Sequence, residues 1–175
     1  MRRGILFIWF AFFSLYADPL LPVVQEDIGK QCVLTPPKGW DTIDDPDQLP
    51  KKIKLACIGK SKHSFTPSIN IAVEETSSSL ENYMREAKLY HEAQKNTQCS
   101  ALGKLATHAG QAELLQIDTM TQWGRVRFIQ AIMIKEKIAY VITATCLFDE
   151  FSSLSSPIFK SIQTFNFVEP LREKN

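Results

Sequence analysis

The chain has 175 residues, of which 22% are charged, and its formal net charge at pH 7 is +1. This length predicts one domain with a single hydrophobic core. The near balance of 20 basic and 19 acidic side chains excludes a generic nucleic-acid-binding protein, which needs a basic excess, and also excludes an acidic, disordered chain.

Residues 1–17 have the layout of a secretory signal peptide. Two arginines precede an apolar run over 4–13, and the small Ala17 precedes a polar segment. The run is too short to span a bilayer comfortably, which takes about 20 apolar residues. We therefore predict cleavage after Ala17 and export of a bacterial protein to the periplasm or the medium. The alternative is retention of residues 1–17 as a membrane anchor, because Leu15, at position −3 from the cleavage site, is bulkier than signal peptidase prefers there.

Three further segments follow the signal. Residues 18–30 contain two prolines and predict an extended leading segment, residues 31–168 predict a single domain, and residues 169–175 predict a C-terminal tail. Without the two arginines of the signal, the chain has 18 basic and 19 acidic groups and a formal charge of −1.

The first part of the domain is predicted to contain short strands. Alternating apolar residues indicate strands over 31–34, 53–57 and 69–76. The segment 41–50 carries four carboxylates and two prolines, so we expect it to be a surface loop.

A long amphipathic helix is predicted next, over 80–95. Ser78 and Glu81 have the spacing of a capping box, in which the serine oxygen caps the helix and the carboxylate returns to the serine amide. The apolar side chains recur at helical spacing, so one face must be buried. This stripe comprises Leu80, Tyr83, Met84, Ala87 and Tyr90.

After this helix, the apolar period changes to two. The segments 99–106, 113–120, 125–135 and 138–147 alternate as strands do, and their short connections require antiparallel neighbours. The last two are the most apolar of the mature chain and are expected to lie centrally in the sheet.

The C-terminal part of the domain is predicted to add a second helix and a last strand. Phe151, Leu154, Ile158 and Ile162 predict the helix, with Pro157 tolerated only in its first turn. A short strand over 165–167 is expected to close the sheet. The predicted fold is therefore α+β, with an antiparallel sheet flanked by helices.

Five motifs in this order resemble the PsbP-like family, which includes bacterial DcrB-type periplasmic proteins, plant thylakoid-lumen PsbP and a yeast Ran-binding nuclear-import factor. The motifs are TPPKGW over 35–40, INIAV over 69–73, SLENY over 79–83, AYVITAT over 139–145 and IQTF over 162–165. The resemblance implies an antiparallel sheet between helical layers, an αβα sandwich. It also implies a non-catalytic, protein-binding or accessory role, with no shared catalytic residue to carry over.

Four cysteines in an exported chain allow two disulfides. They are Cys32, Cys57, Cys99 and Cys146. Their spacing matches neither a zinc ribbon nor a redox motif, and three connectivities remain open. The pair to test first is Cys32 with Cys57, because they lie on consecutive predicted strands. The alternative is that the cysteines are small buried hydrophobic residues.

Other chemical motifs lack a required residue or the required spacing. Gly59-Lys60-Ser61 lacks the glycine that a phosphate loop needs five residues earlier, and the acidic segment before Pro50 lacks the glycine of a calcium loop. His63, His91 and His108 have no neighbouring nucleophile motif, and no metal-ligand spacing includes them. We therefore predict no catalytic, metal or cofactor-binding residues.

The segment between Gln48 and Val73 contains five lysines and no acid. The lysines that we assign to a partner surface are Lys51, Lys52, Lys60 and Lys62, together with Trp123. One interpretation is docking of an anionic partner or membrane surface. The other is a solvated loop and a strand edge that lysine protects from edge pairing.

The two tryptophans that follow the predicted signal peptide have different expected roles. Trp40 follows the first strand and is predicted to fill a core site, whereas Trp123 lies in a hairpin turn and suits a core or an exposed position equally.

The function predicted from sequence is an exported, non-catalytic accessory or protein-binding domain of the bacterial cell envelope. We expect a monomer with an unknown protein partner, without nucleic acid, and in contact with membrane only if residues 1–17 are retained. Two alternatives stay open: a signal-anchored structural component of the envelope, and a small hydrolase with a dispersed active site.

Overall fold

The computed structural model of the chain describes residues 32–43, 45–60 and 65–168. The predicted signal peptide, leading segment and tail lie outside these residues, as do Lys62 and His63. The strands are β1 (Cys32–Val33), β2 (Asp41–Ile43), β3 (Ile53–Ile58), β4 (Ser68–Glu75), β5 (Thr97–Thr107), β6 (Gly110–Thr121), β7 (Gly124–Lys135), β8 (Ile138–Leu147) and β9 (Asn166–Phe167), and the helices are α1 (Leu80–Glu92) and α2 (Phe151–Gln163).

A seven-stranded antiparallel sheet has the strand order β2-β3-β4-β8-β7-β6-β5. The strand β8 lies in the middle and pairs with β4 on one side and β7 on the other. The prediction that the two most apolar segments lie centrally is therefore confirmed, since a strand that is buried over most of both faces needs mostly apolar side chains.

Each face of the sheet packs against one helix. On one face, which we call the α1 face, Tyr83 and Ala87 of α1 pack with Leu115 and Ile132 of the sheet. On the opposite face, the α2 face, side chains of α2 pack with those of β4, β7 and β8, and they include Ile158, Ile162, Ile71, Ile129 and Ile142. The predicted α+β sandwich with helices on both faces is confirmed.

Two predictions about short strands are wrong. The segment 41–50 is not wholly a loop, because Asp41–Ile43 forms the edge strand β2 on β3 and residues 46–48 form a 3-10 turn. The last strand, β9, does not close the main sheet. It pairs with β1 in a separate two-stranded sheet, with Cys32 opposite Phe167. Both pairings depend on backbone hydrogen bonds to distant segments, which apolar periodicity does not report.

The helix α1 ends at Glu92, three residues before the predicted end, and its N-cap differs from the predicted one. The N-cap is Ser79, whose Oγ accepts a hydrogen bond of 3.2 Å from the backbone N–H of Asn82. The backbone N–H of Ser78 instead donates to the Thr76 hydroxyl at 3.1 Å. Both serines precede the apolar stripe, and only the path of the backbone determines which serine caps the helix.

Replacing Ser79 with Ala is expected to lower the free energy of unfolding by about 1 kcal/mol, because the N-cap hydrogen bond to Asn82 is lost. The matched control is Ser78→Ala, which should change it by less than about 0.5 kcal/mol. Urea unfolding of the two variants measures both values. Equal losses in the two variants would contradict this assignment of the cap.

The helix α2 contains Pro157 in its second turn, not in its first. Proline has no backbone N–H, so the carbonyl of Ser153 receives no helical hydrogen bond from it. The predicted restriction of Pro157 to the first turn is therefore wrong. Packing of Ile158 and Ile162, which are 1% and 0% exposed, stabilises the helix despite the missing bond.

Within the described residues, no helix is both long enough and apolar enough to cross a membrane.

Candidate functional site

One end of the sheet brings several distant segments together. Asp41 at the start of β2 pairs with Ile58 at the end of β3, and Ser68 at the start of β4 pairs with Thr145 near the end of β8. We call this end the cleft end. The segments that enter or leave the sheet here carry Trp40, Lys60, Pro67 and Trp123.

A cleft of about 280 Å³ opens at this end between the sheet and the start of α2. The residues that line it are Lys38, Gly39, Trp40, Lys60, Pro67, Glu150, Ser153 and Leu154. Its lining combines apolar side chains with charged ones, and binding sites commonly contain both.

The indole of Trp40 is positioned by two features of the backbone. The N–H of Trp40 donates a hydrogen bond of 3.0 Å to the carbonyl of Pro37, and Gly39 has a φ of +80° in this turn. Gly59 leaves room for the ring, because a Cβ atom there would lie 2.8 Å from Cε2 of Trp40 and 2.9 Å from Cγ of Pro67. Trp40 also packs against the core of the α2 face, as the sequence predicted.

The polar side chains of the cleft come from both of its sides. Lys38 and Lys60 are exposed, whereas Glu150 and Leu154 are partly buried. The hydroxyl of Ser153 donates a hydrogen bond of 2.8 Å to the backbone carbonyl of Glu150, so it is held within the first turn of α2. The lysine ammonium groups are the charged groups of the cleft that are most accessible to a partner.

A buried ion pair connects the sheet to the start of α2 beside the cleft. Asp118 is 6% exposed and accepts hydrogen bonds of 2.7 Å from both Nε and Nη2 of Arg127. Nη2 of Arg125 donates a third, of 3.1 Å. The Arg127 guanidinium also lies 4.5 Å and 4.7 Å from the ring centroids of Phe148 and Phe151. This cluster therefore positions the segment that supplies Glu150, Ser153 and Leu154.

Sequence analysis did not find the Asp118 cluster. Asp118 and Arg127 are directly opposite in the register of β6 and β7. The information that could have predicted this pair is the hairpin turn over 121–124. Once the register of the hairpin is known, counting residues away from the turn along both strands places Asp118 opposite Arg127.

Trp123 lies at the cleft end and is partly buried. Its ring packs edge-on against Phe65, with 6.2 Å between the ring centroids and 60° between the ring planes. Phe65 itself is 8% exposed. Trp123 therefore has one side against the protein, and its role as a partner contact stays a prediction.

The structure does not bring the predicted lysines into one surface. Lys51 and Lys52 precede β3, and Nζ of Lys52 lies 3.5 Å from Oε2 of Glu74. Lys60 follows β3 and lines the cleft. The six residues of β3 separate these two groups by about 20 Å. Of the described lysines that we assigned to a partner surface, only Lys60 therefore lines the cleft.

The cysteines lie on both faces of the sheet. Cys32, Cys57 and Cys146 belong to the core of the α2 face, whereas Cys99 belongs to the core of the α1 face. Cys57, Cys99 and Cys146 are free thiols, and burial raises the pKa of each, to about 11, 11 and 12. The sheet separates Cys99 from the other three, so this fold does not accommodate two disulfides. The predicted Cys32–Cys57 disulfide is not formed in the structure and stays a prediction for the oxidised protein.

Thiol counting tests that prediction. Because the thiols are buried and their pKa values are raised, we expect them to react slowly with a thiol reagent in the folded protein and rapidly in urea. Four reactive thiols in urea without reductant would exclude the Cys32–Cys57 disulfide, whereas two would support it. Mass spectrometry of the alkylated protein measures the count.

His91 lies on the buried face of α1, in its last turn and away from the cleft. It is 9% exposed, and its Nε2 lies 3.3 Å from Oε1 of Gln130 on β7. Burial lowers the pKa of His91, and the hydrogen bond to Gln130 opposes this shift. His108 is exposed. Among the described residues, no group of His, Cys, Asp and Glu side chains is arranged to hold a metal ion.

The lowered pKa of His91 predicts a loss of stability at acid pH. In the unfolded chain histidine takes up a proton near pH 6.5, whereas folded His91 does so only at lower pH. The free energy of unfolding should therefore fall as the pH drops through about 6.5, by at most about 1.4 kcal/mol per pH unit. Urea unfolding between pH 7.5 and 5 measures this slope.

The matched variants for this measurement are His91→Gln and His108→Gln. The first should remove more of the slope between pH 7.5 and 5 than the second, because His91 is buried and His108 is exposed. An identical slope in wild type and His91→Gln would contradict the assignment.

The architecture occurs in solved structures of low sequence identity. LpqN, which is involved in cell envelope biogenesis of Mycobacterium tuberculosis, matches with a TM-score of 0.61 and 12% identity, over 79% of this chain and 83% of LpqN. Cyanobacterial PsbP (CyanoP) from Synechocystis sp. PCC 6803 matches with a TM-score of 0.50 and 10% identity, over 90% of this chain and 99% of PsbP. The fold is PsbP-like.

A third protein has the same PsbP-like fold. The Ran-binding protein Mog1p of Saccharomyces cerevisiae matches with a TM-score of 0.55 and 16% identity, over 82% of this chain and 94% of Mog1p. No protein-family model matches the chain, and no curated protein matches its sequence. Identities this low show a shared PsbP-like fold and carry no residue roles across.

Proposed function

We propose that the protein is an exported, non-catalytic domain of the bacterial cell envelope, of the DcrB type, that works by binding another protein at the cleft. The observation that carries the proposal is the cleft itself, where Trp40 and Leu154 offer apolar surface and Lys38 and Lys60 are exposed. Tryptophan is among the residues that contribute most to protein binding, and exposed charges steer the encounter with a partner.

The proteins with a PsbP-like fold support this proposal. Mog1p is a Ran-binding protein, and LpqN is involved in cell envelope biogenesis. The fold therefore occurs in a protein that binds a protein partner and in a protein of the cell envelope. A fold alone does not determine function, so the proposal depends on the cleft residues of this chain.

The described lining of the cleft favours binding over hydrolysis. A hydrolytic site needs a base within hydrogen-bond reach of a nucleophile. The serine of the cleft, Ser153, donates its hydroxyl proton to the backbone of Glu150, and no histidine belongs to the described lining residues. His91 lies on the opposite face, against Gln130.

Export and anchoring are distinguished by the N-terminus of the protein in its native cell. We propose cleavage after Ala17, which gives a mature N-terminus at Asp18. Mass spectrometry of the N-terminal peptide of the purified protein checks this. Retention of residues 1–17 would support the anchored envelope component instead.

Site-specific photocrosslinking tests the binding site. A photoreactive amino acid at position 60, at the cleft, should form one discrete protein adduct in the native cell. The matched control is position 88, because Lys88 is also an accessible lysine but lies on the outer face of α1, with 45% of its side chain exposed. Adducts of the same size from both positions would contradict binding at the cleft.

A further inference from the structure

A strip of uncharged polar side chains lies on the α1 face of the sheet, next to the helix. We call it the polar strip, and it comprises Ser68 and Asn70 on β4, Thr143 and Thr145 on β8, and Gln130 on β7. Their neighbours in sequence, such as Ile69 and Ala144, pack into the core of the opposite face. Alternation along each strand therefore places all five on the α1 face.

The register places these side chains in two adjacent rows. Asn70 is opposite Thr143, and Thr143 is opposite Gln130. In the next row, Ser68 is opposite Thr145. Neighbouring strands are about 4.8 Å apart, and residues two apart on a strand are about 6.7 Å apart. The four side chains on β4 and β8 therefore span about 5 Å by 7 Å, which is an area for a small ligand.

The helix α1 does not cover the whole strip. It packs on β5, β6 and β7, where His91 at its C-terminal end contacts Gln130. Over β4 and β8, Ser68, Asn70 and Thr143 remain partly exposed, and Thr145 is 8% exposed. None of these four side chains forms a hydrogen bond within the part of the chain that the structure describes. Their hydroxyl and amide groups are therefore available to another molecule.

The chemistry of the strip limits its ligand. A charged ligand would lose hydration with no opposite charge in either row to compensate, which is costly. Glu74, the acid nearest along β4, already accepts a hydrogen bond from Tyr83 and lies 3.5 Å from Nζ of Lys52. An apolar ligand would leave the hydroxyl and amide groups of the strip without partners. What fits is a neutral ligand with many hydroxyl groups.

Backbone pairing with a peptide is not available at this place. The strand β4 already pairs with β3 and β8, and β8 pairs with β4 and β7. Because neither strand has a free edge, a ligand can be recognised only through side chains. We propose that the polar strip is a binding site for a neutral saccharide, whose hydroxyl groups exchange hydrogen bonds with Ser68, Asn70 and Thr143.

This site is separate from the cleft. Ser153 and Leu154 of the cleft belong to α2, on the other face of the sheet. The proposal is therefore independent of the proposed function, and each can fail without the other.

The test is binding of the full-length protein to an array of neutral and charged oligosaccharides, followed by NMR titration with the neutral sugar that binds best. We expect the side-chain amide signals of Asn70 to shift. Thr143→Val removes one hydroxyl at nearly constant volume and should weaken the affinity by about tenfold. The matched control is Ser100→Ala, at an exposed strand position, which should not change it.

Thr143→Ser, which keeps the hydroxyl, should retain most of the affinity. It therefore shows whether a loss of affinity in Thr143→Val comes from the missing hydroxyl. Far-UV circular dichroism checks that each variant is folded. The proposal is overturned if no neutral sugar binds, if only charged sugars bind, if the Asn70 signals stay unchanged, or if Thr143→Val binds as wild type does.

Discussion

Replacing Asp118 with Ala is expected to lower the free energy of unfolding by about 3 to 5 kcal/mol. The carboxylate accepts hydrogen bonds from Arg127 and Arg125, and Arg127 has only 15% of its side chain exposed. Without Asp118, the Arg127 guanidinium stays largely buried and loses its counter-charge. Urea or thermal unfolding measures the loss.

The matched control for this prediction is on the same strand. Glu113→Ala removes an ion pair of 3.6 Å with Lys104, whose side chain is 62% exposed. Surface pairs contribute little, so the loss should be below about 1 kcal/mol. Similar losses for the two variants would mean that burial of Asp118 has no energetic consequence.

The Gly59→Ala variant is expected to lose about 1 to 3 kcal/mol of stability, because overpacking displaces well-packed side chains. The new Cβ would lie 2.8 Å from Trp40 and 2.9 Å from Pro67, and both contacts are with rings that cannot bend away. We also expect partner binding to weaken, since the Trp40 indole must leave its position in the cleft. Unfolding and binding are measured on the same preparation.

A double-mutant cycle attributes this loss to the Trp40 contact. In a Trp40→Leu background, Gly59→Ala should cost less than it does in wild type, because the closest of the two rings is gone. Additive losses would show that Trp40 does not set the requirement for glycine at this position.

Apolar periodicity predicted the parts of the fold that depend on burial. Tyr140, Ile142 and Ala144 share one face of β8 in the structure, as their alternation indicates. The sequence did not predict β2, because the residues of Asp41–Ile43 are exposed or partly buried and their pairing with β3 depends mainly on backbone hydrogen bonds. Patterns that report burial do not report edge strands.

The cleft could be predicted only in part, because it depends on contacts between separate segments, which burial patterns do not report. Sequence analysis singled out Trp40 and Lys60 separately, but their proximity depends on the register between β2 and β3. Ser153 and Leu154 come from α2, about ninety residues later in the chain. The described lysines of the predicted partner surface, Lys51, Lys52 and Lys60, lie at opposite ends of β3, because an extended strand separates the residues before it from those after it.

The affinity of the captured partner for two double variants tests the central claim most directly. Lys38→Ala with Lys60→Ala removes the two lysines of the cleft, whereas Lys51→Ala with Lys52→Ala removes two lysines at the other end of β3. Measured by isothermal titration calorimetry, the first pair should weaken binding by about tenfold or more and the second by less than about twofold. Equal weakening by the two pairs, or a larger effect of the second, would contradict binding at the cleft.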